Sequence, residues 1–295
     1  MNELSFDRKY RPKTMEDYMG KEIREIISNR FKDKKNMPNT ILLHGERGCG
    51  KTTLARLIAK EYHCLEKNEG NATKACGVCE LCKLIDERLI MGEAGSDVLG
   101  VTEMDIATDS GKAAIDTALS EVMTEPIYPF FYNIVIMDEV HMASDQAQNR
   151  MLKLFEEPPK YLVFILCTTD PDKLIPTLRD RCRLKISVRK AQKEELYDKL
   201  LSVCELENIR TSKEALELLA KTANYNPRDS LIRLEEISKN YGYEVTLETV
   251  QKSTGEVASS VYMGYYQAIN KGLEDILKFT HSLKEREITA KDFIR

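Results

Sequence analysis

Tryptophan is absent from this 295-residue chain. So is any apolar run near the roughly eighteen residues that a membrane span requires. Charge of one sign is lacking as well. The 44 Lys and Arg stand against 48 Asp and Glu, a formal net charge of −4. No general positive field marks the chain for nucleic acid, so any DNA contact must come from local basic groups or helix N-termini. The opening "MNELSFDRKYRPKTMEDY" has no apolar core of a secretory signal. A cytoplasmic location without membrane association is expected. There thiols stay reduced, so the eight cysteines are not expected to form a disulfide framework. Internal repeats and low-complexity tracts are missing too.

What is present is an alternation. "ILLH" (41–44), "NIVIMDE" (133–139) and "YLVFILCTT" (161–169) read as short buried strands, with "VTEM" (101–104) and "RLKISV" (183–188) as further members. "TTLARLIAKEY" (52–62) has helical periodicity through Leu54, Leu57, Ile58 and Tyr62. "KAAIDTALSEVM" (112–123) and "DQAQNRMLKLFEE" (145–157) read as helices, the second with Ser144 as N-cap and Pro158-Pro159 as its stop. Strands alternating with helices predict an α/β fold: a parallel sheet with helices on both faces, and hence unbroken apolar strands. Beyond about residue 190 the strand signals end. "KEELYDKLLSVC", "SKEALELLAKTA" and "PRDSLIRLEEIS" are helical, with Thr211 and Glu214 as a capping box and Asn226-Pro227 as N-cap and first helical residue. The expected organisation is a sheet domain over 1–190 with an insert at 64–82, a small helical domain over 191–243, and a helical stretch over 244–295. The last is too short for a sizeable core alone.

"GERGCGKT" (45–52) places Gly45, Gly50, Lys51 and Thr52 in the phosphate-loop pattern, between a predicted strand and a predicted helix. Gly45, Gly48 and Gly50 permit turns that aim successive N–H groups at a polyphosphate. The helix opening near Lys51 points its positive end at the same anion. Lys51 is expected on the β/γ-phosphates of ATP, and Thr52 on Mg²⁺. "IVIMDEVH" (134–141) ends a parallel strand in two acids, where open α/β sheets bind ligands. Asp138 is the expected second Mg²⁺ ligand, and Glu139 the residue that orients attacking water. Adjacent carboxylates repel, which itself suggests a nearby cation.

"CTTD" (167–170) ends the next strand, where Thr169, or Thr168, can reach the water or γ-phosphate. A β-branched strand residue is the plain alternative. Arg228 stands in the first turn of the helix opened by Asn226-Pro227, where a cation opposes the helix dipole unless an anion sits against it. A triphosphate is such an anion; Asp229 is the bland partner.

Cys64, Cys76, Cys79 and Cys82 have spacings that suit tetrahedral Zn²⁺ in a structural role, and a metal would explain order in so polar a segment. A four-iron cluster takes the same ligands, and His63 is a possible substitute. Cys49, Cys167, Cys182 and Cys204 are expected to be small buried apolar residues.

The phosphate loop, "DEVH", "EEPP", "CTTDPDKLIPTLRDRC" and "YNPRDSL" occur in the order seen in bacterial DNA polymerase III gamma/tau subunits, the AAA+ ATPases of the sliding-clamp loader. The resemblance covers about residues 6–240. It implies a P-loop AAA+ domain with a zinc module, then a helical lid, then the start of a helical collar. It implies that Tyr10, Arg11 and Pro12 lie against the adenine and that Thr53 joins Thr52 at the phosphates. Thr169 and Arg228 become the two sensor residues. Arg181 of "RDRC" becomes an arginine finger acting in trans on a neighbour's ATP. Asp180 stands where the family usually has serine, and is expected to pair partly with Arg181. The implied partners are the delta and delta-prime subunits, further copies of this chain, the sliding clamp and primer-template DNA, with the helix after "DEVH" lining the DNA chamber. A non-hydrolysing scaffold of the delta-prime type is disfavoured by the intact Lys51, Thr52, Asp138 and Glu139. A branch-migration ATPase is disfavoured by the cysteine insert and "RDRC".

Overall fold

The three strongest apolar runs form adjacent parallel strands at the heart of a five-stranded sheet. The structure is a computed structural model that describes residues 4–33, 37–68, 70, 74–90, 100–108, 125–126, 131–254 and 259–285. The helix expected over 112–123 lies outside the described residues. The strands are β1 (Thr40–His44), β2 (Val101–Asp105), β3 (Asn133–Asp138), β4 (Leu162–Thr168) and β5 (Leu184–Ser187), in the order β2-β3-β4-β1-β5, all parallel.

Alternation along each strand builds two cores. Ile41 and Leu43, Ile134 and Ile136, and Val163 and Ile165 point to one face, where they meet Ile27, Leu54 and Ile58. Leu42, Val135, Met137, Phe164 and Leu166 point to the other, where they meet Met151, Phe155 and Leu178. After a short α1 (Phe6–Lys9), the first face is covered by α2 (Lys21–Arg30) and α3 (Lys51–His63), with α4 (Leu65–Asn68) and α5 (Glu80–Leu84) following. The second is covered by α6 (Asp145–Glu156) and α7 (Pro176–Arg181). Ser144 caps α6 as expected, its side chain accepting from the Ala147 amide.

The chain divides into two units. One is Met1–Leu196 with Tyr225–Ile232; the other is Tyr197–Asn224 with Arg233–Arg295. The second is mainly helical, with α8 (Lys193–Leu206), α9 (Lys213–Thr222), α10 (Pro227–Asn240), α11 (Leu247–Thr254), α12 (Ser259–Lys271) and α13 (Leu273–Glu285) contributing. Strands do not end at 190: β6 (Arg210–Thr211) pairs in parallel with β7 (Glu244–Val245). That pairing draws Thr211 out of the capping role. Ser212 caps α9 instead, accepting from the Ala215 amide at 3.3 Å. No helix among the described residues is long and apolar enough to cross a membrane.

Candidate nucleotide site and cysteine cluster

The phosphate loop starts where β1 passes between its two neighbours. The Gly45 amide donates to the Thr168 carbonyl at 3.2 Å, and the Val188 amide to the His44 carbonyl at 2.7 Å. Gly45 has φ 156°, and a Cβ there would stand 2.0 Å from the Val188 carbonyl oxygen, so no side chain fits. Gly48 has φ 77°, and its Cβ would fall 2.3 Å from Asn226 Nδ2. Asn226 touches the loop directly, donating to the Arg47 carbonyl at 2.8 Å. Its Oδ1 meanwhile accepts from the Arg228 amide at 3.0 Å and the Asp229 amide at 3.3 Å, the N-cap read from the sequence. Lys51 is only 5% exposed and donates to the Gly45 and Glu46 carbonyls, both at 2.9 Å. Thr53 follows on α3, half-buried.

Thr52 and Asp138 meet across the site. The Thr52 hydroxyl donates to Asp138 Oδ2 at 2.5 Å, and the Glu139 amide to Asp138 Oδ1 at 2.9 Å. Burial raises the Asp138 carboxyl above its ordinary range, with the Glu139 charge adding to the push; the Thr52 and Glu139 donors and Lys51 oppose it. A carboxylate so placed is stabilised by added positive charge. Hydroxyl and carboxylate oxygens are the hard donors Mg²⁺ takes, so Thr52 and Asp138 fit the metal.

Glu139 adopts a left-handed backbone, φ 49° and ψ 42°, a conformation uncommon for a non-glycine residue. Its Oε2 accepts from Thr169 Oγ1 at 3.0 Å. Of the two threonines considered, Thr169 is thus the one beside Glu139. Thr168 is fully buried and faces His141. His141, in the quoted "DEVH" but given no role from sequence, lies 3.3 Å from Glu139 Oε2.

The N-terminal segment supplies a basic wall. Tyr10 packs edge-on against Phe6, with ring centroids 5.7 Å apart, and Pro12 is half-buried. Burial lowers the Arg11 guanidinium to about 10; the charges of Arg56, Arg228 and Arg8 push the same way and Asp7 opposes them. Arg228 finds Asp7, not its neighbour Asp229: Nε lies 3.4 Å from Asp7 Oδ2. Several guanidinium groups around one carboxylate make a setting that favours a polyanion.

Arg181 is held differently from expectation. Its Nη2 donates to Glu156 Oε1 at 2.6 Å and its Nη1 to the Thr177 carbonyl at 3.3 Å. Asp180 lies 3.5 Å from Lys185 instead, and Arg179 pairs with Asp172 at 2.8 Å. Successive residues of α7 point to different sides of the helix, so adjacency in sequence does not pair them.

The four cysteines converge. The sulfurs of Cys64, Cys76, Cys79 and Cys82 all lie within 4.8 Å of one another. Tetrahedral zinc holds thiolates ~3.8 Å apart, whereas a four-iron cluster, a larger body, spreads its ligands further. The Cys76 amide donates to Cys64 Sγ at 3.2 Å, and the Val78 and Cys79 amides to Cys76 Sγ at 3.4 and 3.3 Å. Burial pushes the Cys76 thiol up, but the Val78 and Cys79 amides, with the Cys64 and Cys79 side chains, bring it down to about 7. The donor set fits Zn²⁺. His63 stands outside it: its Nε2 is 3.3 Å from the Gly100 carbonyl oxygen, and burial lowers it to about 4. Glu61 docks the insert on α3, pairing with Lys67 at 2.5 Å and accepting from the Ala75 amide at 3.1 Å, and Lys60 pairs with Asp86 just beyond the insert at 2.6 Å. Cys49, Cys167, Cys182 and Cys204 are buried, as expected.

Residues 20–191, more than half of the chain, match the family model described as DNA polymerase III, delta subunit. The chain belongs to that family. It is 32% identical over 274 residues to DNA polymerase III subunit tau/gamma of Haemophilus influenzae, covering 92% of this chain and 38% of that protein. It is 34% identical over 244 residues to subunit gamma of Buchnera aphidicola, covering 81% and 63%. The chain therefore spans well under two thirds of several relatives, with 47% covered for subunit gamma/tau of Mycoplasma genitalium. The gamma/tau resemblance read from the motifs is thereby borne out. Among solved structures, the RuvB Holliday junction branch migration motor of Thermotoga maritima superimposes with a TM-score of 0.58 at 18% identity, covering 82% of this chain and 71% of that one. That likeness shows that the chain shares the fold of that motor.

Proposed function

We propose that this chain is an ATPase subunit of the DNA polymerase III clamp loader, using ATP binding and hydrolysis to place a sliding clamp on primer-template DNA. The observation that carries the reading is the meeting of Thr52 with Asp138 at 2.5 Å, beside a phosphate loop closed by Lys51. A scaffold would need none of these.

Lys51 exchanges its loop carbonyls for the β- and γ-phosphates, and the loop amides cradle the chain of anions. Thr52 and Asp138 would hold Mg²⁺, which supplies charge neutralisation across the phosphates. Glu139 accepts a hydrogen bond from the attacking water and turns it toward phosphorus. Thr169, bonded to Glu139, senses the γ-phosphate from the next strand. Tyr10, Arg11 and Pro12 line the base, and Arg228 leaves Asp7 for the triphosphate. Arg181 leaves Glu156 to meet phosphate charge on a neighbouring subunit, a further copy or the delta-prime type. Its ion pair with Glu156 is half-exposed, and such pairs contribute only about 0–1 kcal/mol, so the release is inexpensive. Residues 191–243 serve as the lid and 244–295 as the start of a collar. Cys64, Cys76, Cys79 and Cys82 would hold Zn²⁺, which would fix the insert against α3.

The delta-subunit description of the matching family favours a second reading, a scaffold in the same assembly. Turnover separates the two. With delta, delta-prime, clamp and primed DNA present, ATP turnover should rise, and Arg181→Ala should remove that rise by about tenfold or more, as loss of an arginine finger does. Stimulated turnover unchanged by Arg181→Ala would defeat the reading.

A further inference from the structure

His141 sits in the short turn Val140–Met142 that follows Glu139. Its Nδ1 stands 3.3 Å from Glu139 Oε2 and 3.1 Å from Thr168 Oγ1. A carboxylate only accepts, so a proton on Nδ1 is what makes the first distance attractive. Thr168 Oγ1 already accepts from the Asp170 amide at 3.0 Å, and its second lone pair can face the same Nδ1 proton. The hydroxyl that holds the ring is itself fully buried at the end of β4. The end of β3 is thus tied to the end of β4 by two arms. In one, the Thr169 hydroxyl donates directly to Glu139; in the other, His141 is bonded to Thr168 and brings Nδ1 to 3.3 Å from the Glu139 carboxylate.

We propose that His141 is a positioning residue for hydrolysis, setting the Glu139 carboxylate through its bridge to Thr168. The inference rests on the reading of Glu139 as the water-orienting acid. Thr169 alone supplies donors from one side of the carboxylate, its hydroxyl at 3.0 Å and its amide at 3.4 Å. The imidazole adds a donor from the residue's own strand end. With both, the carboxylate has one preferred orientation; with one, it rotates. Water activation depends on that orientation, while nucleotide binding at Lys51 and Thr52 does not, so the effect belongs to kcat and not to KM.

The test uses the chain with delta, delta-prime, clamp and primed DNA. ATP turnover gives kcat and KM, binding of a fluorescent ADP gives affinity, and the thermal midpoint checks folding. His141→Ala should lower kcat about tenfold, with KM and affinity within about twofold. His141→Asn, whose amide nitrogen reaches the place of Nδ1, should recover to within about threefold of wild type. Thr168→Val should also slow turnover, and the double variant His141→Ala with Thr168→Val should be no slower than His141→Ala, because both break one arm. Should the alanine variant fail to fold, the asparagine and valine variants carry the comparison. A kcat for His141→Ala within about twofold of wild type, an asparagine variant as slow as alanine, or single losses that multiply in the double would each overturn the proposal. Glu139→Gln separates the two levels. If it turns over like wild type, the reading of Glu139 fails and this inference with it. If it is inactive while His141→Ala is normal, only the inference about His141 falls.

Discussion

Arg56 and Glu103 form the most thoroughly buried ion pair in the sheet domain's described residues. Arg56 Nε and Nη2 donate to Glu103 Oε2 and Oε1 at 2.7 and 2.5 Å, and both side chains are 4% exposed. Methionine at position 56 keeps much of the apolar stem but removes the guanidinium, leaving a carboxylate buried without its counter-charge. That perturbation is expected to cost about 3–5 kcal/mol, against a typical domain stability of about 5–15 kcal/mol. Replacing both residues, Arg56→Met with Glu103→Met, removes the stranded charge and should return stability to within about 1–2 kcal/mol of wild type. Urea unfolding of the four proteins gives the cycle; because either single change strands a buried charge at about 3–5 kcal/mol and the double does not, the expected coupling is about 4 kcal/mol or more. Function should follow. Arg56 is on α3 with Lys51 and Thr52, and Glu103 is on β2, which pairs with the strand that carries Asp138. ATP affinity should therefore fall in the single variant and recover in the double. A loss under about 1 kcal/mol for Arg56→Met, or single losses that simply add, would refute the reasoning.

Purified protein should contain one zinc per chain, and Cys76→Ser or Cys82→Ser should abolish it, measured by elemental analysis; metal retained after either change would contradict a four-cysteine site. Chelation should lower the thermal midpoint of the sheet domain, because Glu61 of α3 binds Lys67 and the Ala75 amide of the insert. Gly48→Ala should cost about 2 kcal/mol and weaken ATP binding, since its Cβ falls on Asn226 at a backbone angle that disfavours side chains. An alanine variant with unchanged stability and affinity would show that the loop moves freely there.

Much of this was legible in the sequence because it is written locally. The strands at 41–44, 133–138 and 162–168 are covered on both faces, so each is an unbroken apolar run. The phosphate loop and the strand-end acids are contiguous motifs, and the cysteine spacing carries its own geometry. Long-range partners were not legible. "TTLARLIAKEY" promised one apolar face, yet α3 also buries Arg56, Lys60 and Glu61. Their partners Glu103, Asp86 and Lys67 all lie outside the helix and make that burial tolerable. Arg181 was read against its neighbour Asp180, but its partner Glu156 arrives from the end of α6. Thr211 lost its capping role to Ser212 through a pairing with Glu244–Val245 that no local signal reports. His141 stood in a quoted motif, but its meaning depends on Thr168 from another strand.

The most direct test is ATP binding and turnover by wild type and Glu139→Gln in parallel, with magnesium and the partner subunits present. The account predicts that both bind ATP and that only wild type hydrolyses it, the glutamine variant losing turnover by about a hundredfold or more. Failure of the wild-type chain to take up ATP, or equal hydrolysis by the two proteins, would contradict it.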